Sequence, residues 1–368
     1  MTNLSVLPAI SSQKPDELTG WLAQSGEPAY RADQILRWVH KGSISGWSQM
    51  RNIPDSLKKK LSSHFSFSSV KLVHKQGGID TTIKFLWKLS DGQYVESVLI
   101  PASPSLYGET SDRHTLCIST QVGCAYGCKF CASGLEGFKR NLNPGEVIDQ
   151  VLGVEALFKK RISSDRRLIT NLVIMGMGEP LANYDNLLDA LNVLNSNWSA
   201  NIGARKITIS TSGLVPQIIK LSDQPKQYRL AISLHGATDE VRNKIMPINR
   251  KYSLSKLSDA VEIYQSRKNG SITLEYILIE GINDGIDQVP HLAILSERLR
   301  AKVNIIPYNS VEGLGYKRPS ITIQERFVRA LIDKGVRATL RREKGHDIDA
   351  ACGQLRLKAE KKLDSGEN

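Results

Sequence analysis

The chain has 368 residues, of which 40% are hydrophobic and 23% are charged. This length suits two domains, or one large α/β domain with a smaller attachment, and the proportions are those of an ordinary soluble protein. No apolar run reaches the length of a transmembrane helix, and residues 1–10 lack the basic start of a signal peptide. We therefore expect a cytoplasmic protein with no membrane partner. Its five cysteines, an odd number, also favour a reducing compartment.

The chain is strongly basic, with a formal net charge of +12. Such an excess attracts polyanions, of which nucleic acid is the commonest in a cytoplasm. Lysine and arginine concentrate in several short segments, at residues 58–60, 159–161, 166–167, 341–342 and 356–362. Each segment alone is more typical of a solvated helix face. Together they favour an RNA or DNA partner without deciding between the two.

The first elements in chain order are predicted to be helices, from residue 15 to about residue 65. The residues that fall near one face at helical spacing are Tyr30, Ile35, Leu36, Trp38 and Val39. A proline followed by an acidic residue at 54–55 marks a second helix start. We expect a small α-helical domain over residues 1–80, whose function the pattern alone does not indicate.

The pattern changes to strands from Ile83 to Ile100. Two apolar runs flank the turn residues Asp91 and Gly92, which predicts a β-hairpin within residues 81–109. Beyond it, short apolar strands alternate with helical segments. The predicted strands are 115–120, 172–175, 206–211, 230–235, 274–279 and 303–307, and the predicted helices are 144–158, 187–195, 254–267 and 288–299. Alternation of this kind requires parallel strands joined by crossover helices, and six units are fewer than the eight of a closed barrel. We therefore predict an α/β fold, a partial (β/α)6 barrel over residues 110–346.

A cysteine triplet with C-x3-C-x2-C spacing follows the first predicted strand of this barrel. Cys124, Cys128 and Cys131 could bind three irons of a cubane iron–sulfur cluster, since thiolates are the usual cluster ligands. The fourth iron would stay open, which suggests radical chemistry with S-adenosylmethionine (SAM) bound there. The alternative is structural zinc, which needs a fourth ligand such as Cys117 or His114. No second C-x2-C pair supports that alternative.

Polar and glycine residues follow the other predicted strands at their carboxyl ends, where parallel α/β folds concentrate their chemistry. A Gly-Met-Gly-Glu-Pro run occupies 176–180. The further strand-end residues are Ser210, Ser233, Leu234, His235 and Asn309. Each could be an ordinary polar strand end, but their convergence on one edge predicts a binding site there.

These residues resemble the RlmN/Cfr group of RNA methyltransferases in the radical SAM superfamily. The resemblance covers nearly the whole chain, from the Tyr-Arg-x-x-Gln-x-x-x-Trp run at 30–38 to the Asp-Ile-Asp-Ala-Ala-Cys-Gly-Gln-Leu run at 347–355. It implies methylation of C2 of an adenosine in the peptidyl-transferase centre of 23S rRNA. In some bacteria, members of this group also methylate the adenosine 3′ of the anticodon in certain tRNAs, so the resemblance implies tRNA as a second substrate. Cfr-type C8 methylation is the nearest alternative, but Val122 and Pro180 match the RlmN branch.

The resemblance also implies cofactors and their ligands. Cys124, Cys128 and Cys131 would hold a [4Fe-4S] cluster whose open iron chelates the amino and carboxylate groups of SAM. Gly178 and Glu179 would receive the SAM ammonium, because a carboxylate suits a cation in a partly dry pocket. The remaining SAM contacts implied by the resemblance are Ser210, Ser233, Leu234, His235 and Asn309.

Two cysteines outside the triplet carry the distinctive chemistry that the resemblance implies. Cys352, in the C-terminal segment 347–368, would be methylated first, since a thiolate is nucleophilic whereas an adenine C2 is not. A second SAM would then generate the radical that joins this methyl group to the base, which makes two SAM per turnover. Cys117 would remove the C2 proton and form a transient disulfide with Cys352. Glu96 would accept a proton.

The expected partners are therefore 23S rRNA, tRNA and an external electron donor, with a monomeric enzyme. We expect the N-terminal helical domain (residues 1–80) and the basic C-terminal segments to contact the RNA backbone. Two further alternatives remain at this stage. One is a radical SAM enzyme that acts on a peptide, which shares the cluster but has no need of the Cys117 and Cys352 pair. The other is a zinc-stabilised RNA-binding module without enzymatic activity.

Overall fold

The computed structural model describes residues 7–78, 81–102, 113–158, 167–341 and 356–357. The chain divides into two compact units. The first comprises residues 1–120, 141–172 and 185–203, and the second comprises residues 121–140, 173–184 and 204–368. Across the described ranges, no helix combines the length and the apolar composition needed to cross a lipid bilayer.

Three helices begin the first unit, as predicted. They are α1 (Pro15–Gln24), α2 (Arg31–Lys41) and α3 (Asp55–His64). Their inner faces bury one apolar cluster, to which α2 contributes Ile35, Leu36 and Val39, while Trp38 packs against its margin. The prediction that Tyr30 lies on this apolar face was wrong. Tyr30 precedes the first residue of α2 and is 58% exposed. Helical spacing misplaced it because the helix begins one residue later.

The first unit also contains an antiparallel sheet in the order β1-β2-β3-β4. Its strands are β1 (Val70–Gln76), β2 (Ile83–Leu89), β3 (Tyr94–Pro101) and β4 (His114–Cys117). Strands β2 and β3 are the predicted hairpin, whereas β1 was not predicted. Helix α4 (Pro144–Phe158) packs on this sheet, and the Trp87 ring lies so close to Gly153 that a Cβ there would be 2.9 Å from it. The helix therefore fits the sheet only with glycine at that position.

The second unit contains the predicted α/β core, with strands in the order β7-β8-β9-β10-β11-β12. Its strands are β7 (Asn171–Ile174), which begins in the first unit, β8 (Ile207–Thr211), β9 (Arg229–Ser233), β10 (Thr273–Leu278), β11 (Lys302–Pro307) and β12 (Ala338–Leu340), and β8 to β12 pair in parallel. Helix α5 (Tyr184–Asn195) follows β7 and belongs to the first unit from residue 185 onward. The helices of the second unit are α6 (Val215–Ser222), α7 (Asp239–Ile245), α8 (Leu254–Arg267), α9 (Gln288–Arg298) and α10 (Ile321–Asp333). The alternation of parallel strands and helices confirms the predicted α/β class.

Candidate active site

The cysteine triplet lies on a loop of the second unit that is closed by a small two-stranded sheet. Strands β5 (Gln121–Gly123) and β6 (Phe138–Asn141) pair at its base, so the predicted strand 115–120 ends earlier and a separate strand leads into the loop. The Cys124 N–H donates to the Gly137 carbonyl at 3.0 Å. Gly123 has φ of +74°, and a Cβ there would lie 1.9 Å from the same carbonyl oxygen. Only glycine permits this closure.

The three cysteine side chains of the loop are thiols, each partly buried. Burial raises the pKa of Cys124 to about 11 and the pKa of Cys128 well above its ordinary value. Binding of iron would therefore have to displace protons from these sulfurs. Among the described residues, no three His, Cys, Asp or Glu side chains converge on a single ion. A cubane cluster does not need such convergence, since each of its thiolates binds a different iron, and three thiols on one loop suit it.

Gly178 and Glu179 follow β7 and lie against the residue that leads into the cysteine loop. The Glu179 N–H donates to Gln121 Oε1 at 2.8 Å. Gly178 has φ of +97°, and a Cβ would lie 2.5 Å from the Gln121 side chain. The buried Glu179 carboxylate accepts backbone N–H groups from Leu181 at 3.0 Å and Ser212 at 2.7 Å. A carboxylate accepts hydrogen bonds at several positions, so the group could also receive a cation.

Ser210 and Ser233 are brought together by the pairing of β8 with β9. Their Oγ atoms lie 3.2 Å apart. The row continues, because Ser233 pairs with Glu275 on β10 and Glu275 pairs with Asn304 on β11. Asn304 Nδ2 donates to both Glu275 carboxylate oxygens at 3.3 Å. Glu275 and Asn304, which were not predicted from the sequence, complete a polar row across four strands.

His235 follows β9 and contacts the cysteine loop. Its ring packs edge-on against Phe130, with the ring centroids 5.0 Å apart, and Phe130 directly precedes Cys131. Nδ1 of His235 accepts a hydrogen bond from the Ile277 N–H at 3.0 Å. Burial, and next the charge of Arg242, lower the pKa of His235 to about 3, so the imidazole is neutral near pH 7. It can therefore act there as a hydrogen-bonding group but not as a cation.

Arg242 on α7 is fully buried and joins the ends of β8 and β9. It donates to the carbonyl of Leu234 at 3.0 Å, to Asn249 Oδ1 at 2.7 Å and to the carbonyl of Ser212. These bonds fix the backbone of Leu234, whose side chain is buried, beside the backbone that holds Glu179. A lone arginine on a short helix gives no sequence signal, so Arg242 was not predicted as a site residue.

A cavity of about 860 Å³ opens beside the cysteine loop within the second unit. Its lining includes Cys128 and Cys131 from the cysteine loop, together with Glu280, Ile282 and residues 314–317. This volume lies within the usual range for small-molecule sites. Asn309, which follows β11, is half-buried. The cavity and the thiols together fit a cluster with a small-molecule ligand beside it.

Cys117 and Glu96 belong to the first unit. Cys117 ends β4, is buried, and pairs with Val98 of β3. Glu96 lies two residues before Val98, so both side chains project from the same face of the antiparallel sheet. The Glu96 carboxylate is 3.2 Å from the Lys84 ammonium. Cys352 lies outside the described residues.

Two family models match the chain. The radical SAM superfamily model matches residues 118–292, and the model of the ribosomal RNA large subunit methyltransferase N-terminal domain matches residues 11–66. With the α/β core and the cysteine loop, these matches define the class: a radical SAM enzyme. Membership in that class implies a [4Fe-4S] cluster and SAM as cofactors.

Relatives give the particular family. A probable dual-specificity RNA methyltransferase RlmN 3 from Opitutus terrae is 52% identical over 96% of each chain. A probable dual-specificity RNA methyltransferase RlmN from Akkermansia muciniphila is 51% identical over 96% of this chain and 97% of the relative. The crystal structure of a radical SAM methyltransferase from Sphaerobacter thermophilus superposes with a TM-score of 0.87 at 38% identity, covering 94% of this chain and 98% of that one. The chain belongs to the RlmN family of radical SAM RNA methyltransferases.

Proposed function

We propose that the enzyme methylates C2 of an adenosine in the peptidyl-transferase centre of 23S rRNA, and C2 of the adenosine 3′ of the anticodon in some tRNAs. The observation that carries this proposal is the presence of two cysteines outside the cluster loop, Cys117 and Cys352. A radical SAM enzyme that acts on a peptide needs the loop but not this pair. The printed names of the relatives, which describe dual-specificity RNA methyltransferases, support two RNA substrates.

The second unit would hold the cofactors. Cys124, Cys128 and Cys131 would ligate the cluster, and Gly178 with Glu179 would receive the SAM ammonium. When bound, SAM and the cluster supply the methyl group and the radical that activates it, with two SAM consumed per turnover and an electron from an external donor. The contacts proposed for the rest of SAM are Ser210, Ser233, Leu234, His235 and Asn309. Arg242 would keep the ends of β8 and β9 in place beneath them.

The two outer cysteines would carry out the transfer itself. Cys352 would carry the methyl group as a thioether until its carbon is bonded to C2 of the base. Cys117 would take the C2 proton, and its sulfur would then attack the Cys352 sulfur. The S–S bond forms as the C–S bond breaks, and the electron pair of that bond goes to the methylene carbon, which takes up a proton. Thiol reductants would return both cysteines to the reduced state.

Binding of RNA would rely on the basic charge of the chain and on the N-terminal helices. The adenine must be unstacked before its C2 can react, and RNA loops offer unstacked bases at low cost. Tyr30, at the start of α2, is 58% exposed, and the Arg31 guanidinium lies 5.0 Å from its ring centroid. Such a pair suits stacking on an exposed base.

The experiment that tests the proposal is an anaerobic assay of the reconstituted full-length enzyme. SAM, a reductant and a 23S rRNA fragment are supplied, and the digested RNA is read by nucleoside mass spectrometry. We expect 2-methyladenosine from the wild-type enzyme and none from Cys352→Ala, because the variant lacks the proposed methyl carrier. A tRNA with adenosine 3′ of the anticodon, assayed in parallel, tests the second substrate.

Other products would redirect the proposal. The appearance of 8-methyladenosine would indicate Cfr-type chemistry on the same machinery. Cleavage of SAM without methylated RNA would contradict the RNA substrates, and full activity of Cys352→Ala would contradict the methyl carrier. A colourless protein that contains zinc in place of iron and sulfide would contradict the cluster.

A further inference from the structure

The β2–β3 hairpin contains an ion pair that is almost completely shielded from solvent. Lys84 Nζ lies 3.2 Å from Glu96 Oε2, and the two side chains are 1% and 2% exposed. Removing two charges from water carries a desolvation cost that their attraction often fails to offset, so stability alone is weak grounds for such a pair. A role in the chemistry is a better explanation if a reacting group lies next to it.

The strand register places Cys117 next to this pair. Val98 is the shared neighbour, because it pairs with Lys84 on β2 and with Cys117 on β4. All three side chains therefore lie in one row on one face of the sheet. Glu96 lies two residues along β3 on the same face, diagonal to both Lys84 and Cys117. Diagonal neighbours have Cβ atoms about 7–8 Å apart, within reach of a long side chain.

A second set of contacts on the same strands keeps this arrangement in register. Ser119, two residues after Cys117, donates through its Oγ to the Glu96 carbonyl at 2.6 Å. Gln150 Oε1 accepts hydrogen bonds from Ser97 Oγ at 2.8 Å and from the Ser119 N–H at 2.9 Å. The backbone on either side of the thiol is thus fixed to the strand that carries the carboxylate.

We propose that Lys84 is a positioning residue of the methyl-transfer reaction, which holds the Glu96 carboxylate in the orientation that takes the proton from Cys117. This inference rests on the proposed function. In the step, the S–H bond of Cys117 breaks and an O–H bond forms on Glu96. The electron pair stays on sulfur, which leaves a thiolate able to attack Cys352, so no oxidant or reductant is needed.

The lysine is needed because the Glu96 carboxylate must face Cys117 at the moment when the thiol releases its proton. The ion pair at 3.2 Å restricts the carboxylate to one orientation. The enzyme can then resolve the covalent link between RNA and Cys352. Earlier steps do not involve this proton.

The test compares Lys84→Met with Lys84→Arg and with a matched control, Lys88→Met, on an exposed lysine of the same strand. Each reconstituted enzyme is incubated with SAM, reductant and the 23S rRNA fragment. For Lys84→Met we expect 2-methyladenosine to fall about a hundredfold, the range of a general acid–base contribution. S-methylation of Cys352 should stay within about twofold of wild type, as should SAM cleavage in the first turnover, and a covalent RNA–protein adduct should accumulate on denaturing gels. Lys84→Arg should recover at least about a tenth of the product, since it restores the charge.

A double variant guards against a simple folding defect. Lys84→Met combined with Glu96→Gln leaves no unpaired buried charge, so we expect a wild-type unfolding midpoint together with the same adduct. Product formation at the wild-type level in either variant would overturn the proposal. So would a parallel loss of Cys352 methylation, adduct and product in the double variant. If the wild-type enzyme itself forms no 2-methyladenosine, the proposed function fails instead, and the two failures are thereby distinguished.

Discussion

At the scale of single residues, the closure of the cysteine loop depends more on Gly123 than on Gly127. Gly123 and Gly127 both have positive φ, +74° and +59°, but only a Cβ at Gly123 would meet backbone, at 1.9 Å from the Gly137 carbonyl oxygen. Gly127 has nothing within 4 Å. An alanine at either position would therefore cost roughly 1–2 kcal/mol for the left-handed backbone conformation. Only an alanine at Gly123 would also clash with the Gly137 carbonyl.

This difference gives a matched pair of variants. We expect Gly123→Ala to lower the iron and sulfide bound after anaerobic reconstitution at least roughly twofold relative to Gly127→Ala, because a loop that cannot close no longer presents its thiolates together. Iron and sulfide analysis with the visible absorption of the cluster would measure it. Equal cluster content in the two variants would mean that the β5–β6 closure does not matter for the ligands.

At the scale of elements, helix α2 is fixed to the segment that follows α5 through a buried histidine. His40 Nδ1 lies 2.8 Å from Ser199 Oγ, its ring packs edge-on against Trp198, and Arg167 donates to its carbonyl. Burial, followed by the charges of Arg167 and Lys41, lowers the pKa of His40 to about 3 from 6.5. The folded protein therefore keeps this imidazole neutral where the unfolded chain would bind a proton.

The sign of the pH dependence follows from that difference. Between pH 6.5 and about 3 the unfolded state binds more protons at this site, so the free energy of unfolding falls as the pH falls. The contribution of His40 should be about 1.4 kcal/mol lower at pH 5.5 than at pH 7.5. Urea unfolding at both pH values would measure the drop in the free energy of unfolding. The drop should be about 1.4 kcal/mol smaller in His40→Gln than in the wild-type protein. Identical losses in the two proteins would contradict a buried neutral histidine.

The accuracy of prediction from sequence also differs among elements. The helices at 144–158 and 254–267 were predicted to the residue, because their apolar periodicity is long. The first begins at a proline, and the second begins directly after Ser253. Strand β1 was missed because most of its residues are exposed, so it lacks apolar alternation. Strand β12 was missed because it has only three residues. Weakly buried strands at the ends of a sheet give little signal in composition.

The candidate site was predictable where its residues are neighbours in sequence. The cysteine triplet and the Gly-Met-Gly-Glu-Pro run carry their spacing with them. Glu275, Asn304 and Lys84 were missed, because each stands between two apolar neighbours and belongs to no motif. The significance of each residue arises only from strand register, which sets Glu275 beside Ser233 and Asn304, and Lys84 near Glu96. Such pairings join residues that are far apart in the chain, so spacing alone cannot reveal them.

At the scale of the whole molecule, the net charge of +12 predicts how RNA binding depends on salt. Each phosphate neutralised by lysine or arginine releases a counterion, so the logarithm of affinity falls with the logarithm of salt by about 0.7–0.9 per contact. We expect binding of the 23S rRNA fragment to weaken about a thousandfold or more between 50 and 200 mM salt, the range for six or more contacts. Filter binding across a salt series would measure the slope.

A variant of the exposed aromatic side chain separates charge from stacking in the same experiment. Tyr30→Ala removes a ring and no charge, so we expect RNA affinity to fall at every salt concentration by roughly tenfold, the order of one lost base stack, with the slope unchanged. Ile321→Ala, at another exposed apolar side chain, should change neither quantity. An affinity that is tight and insensitive to salt would mean that shape and base contacts, rather than the basic charge of the chain, hold the RNA. A changed slope in Tyr30→Ala would instead mean that the ring positions Arg31 for a phosphate.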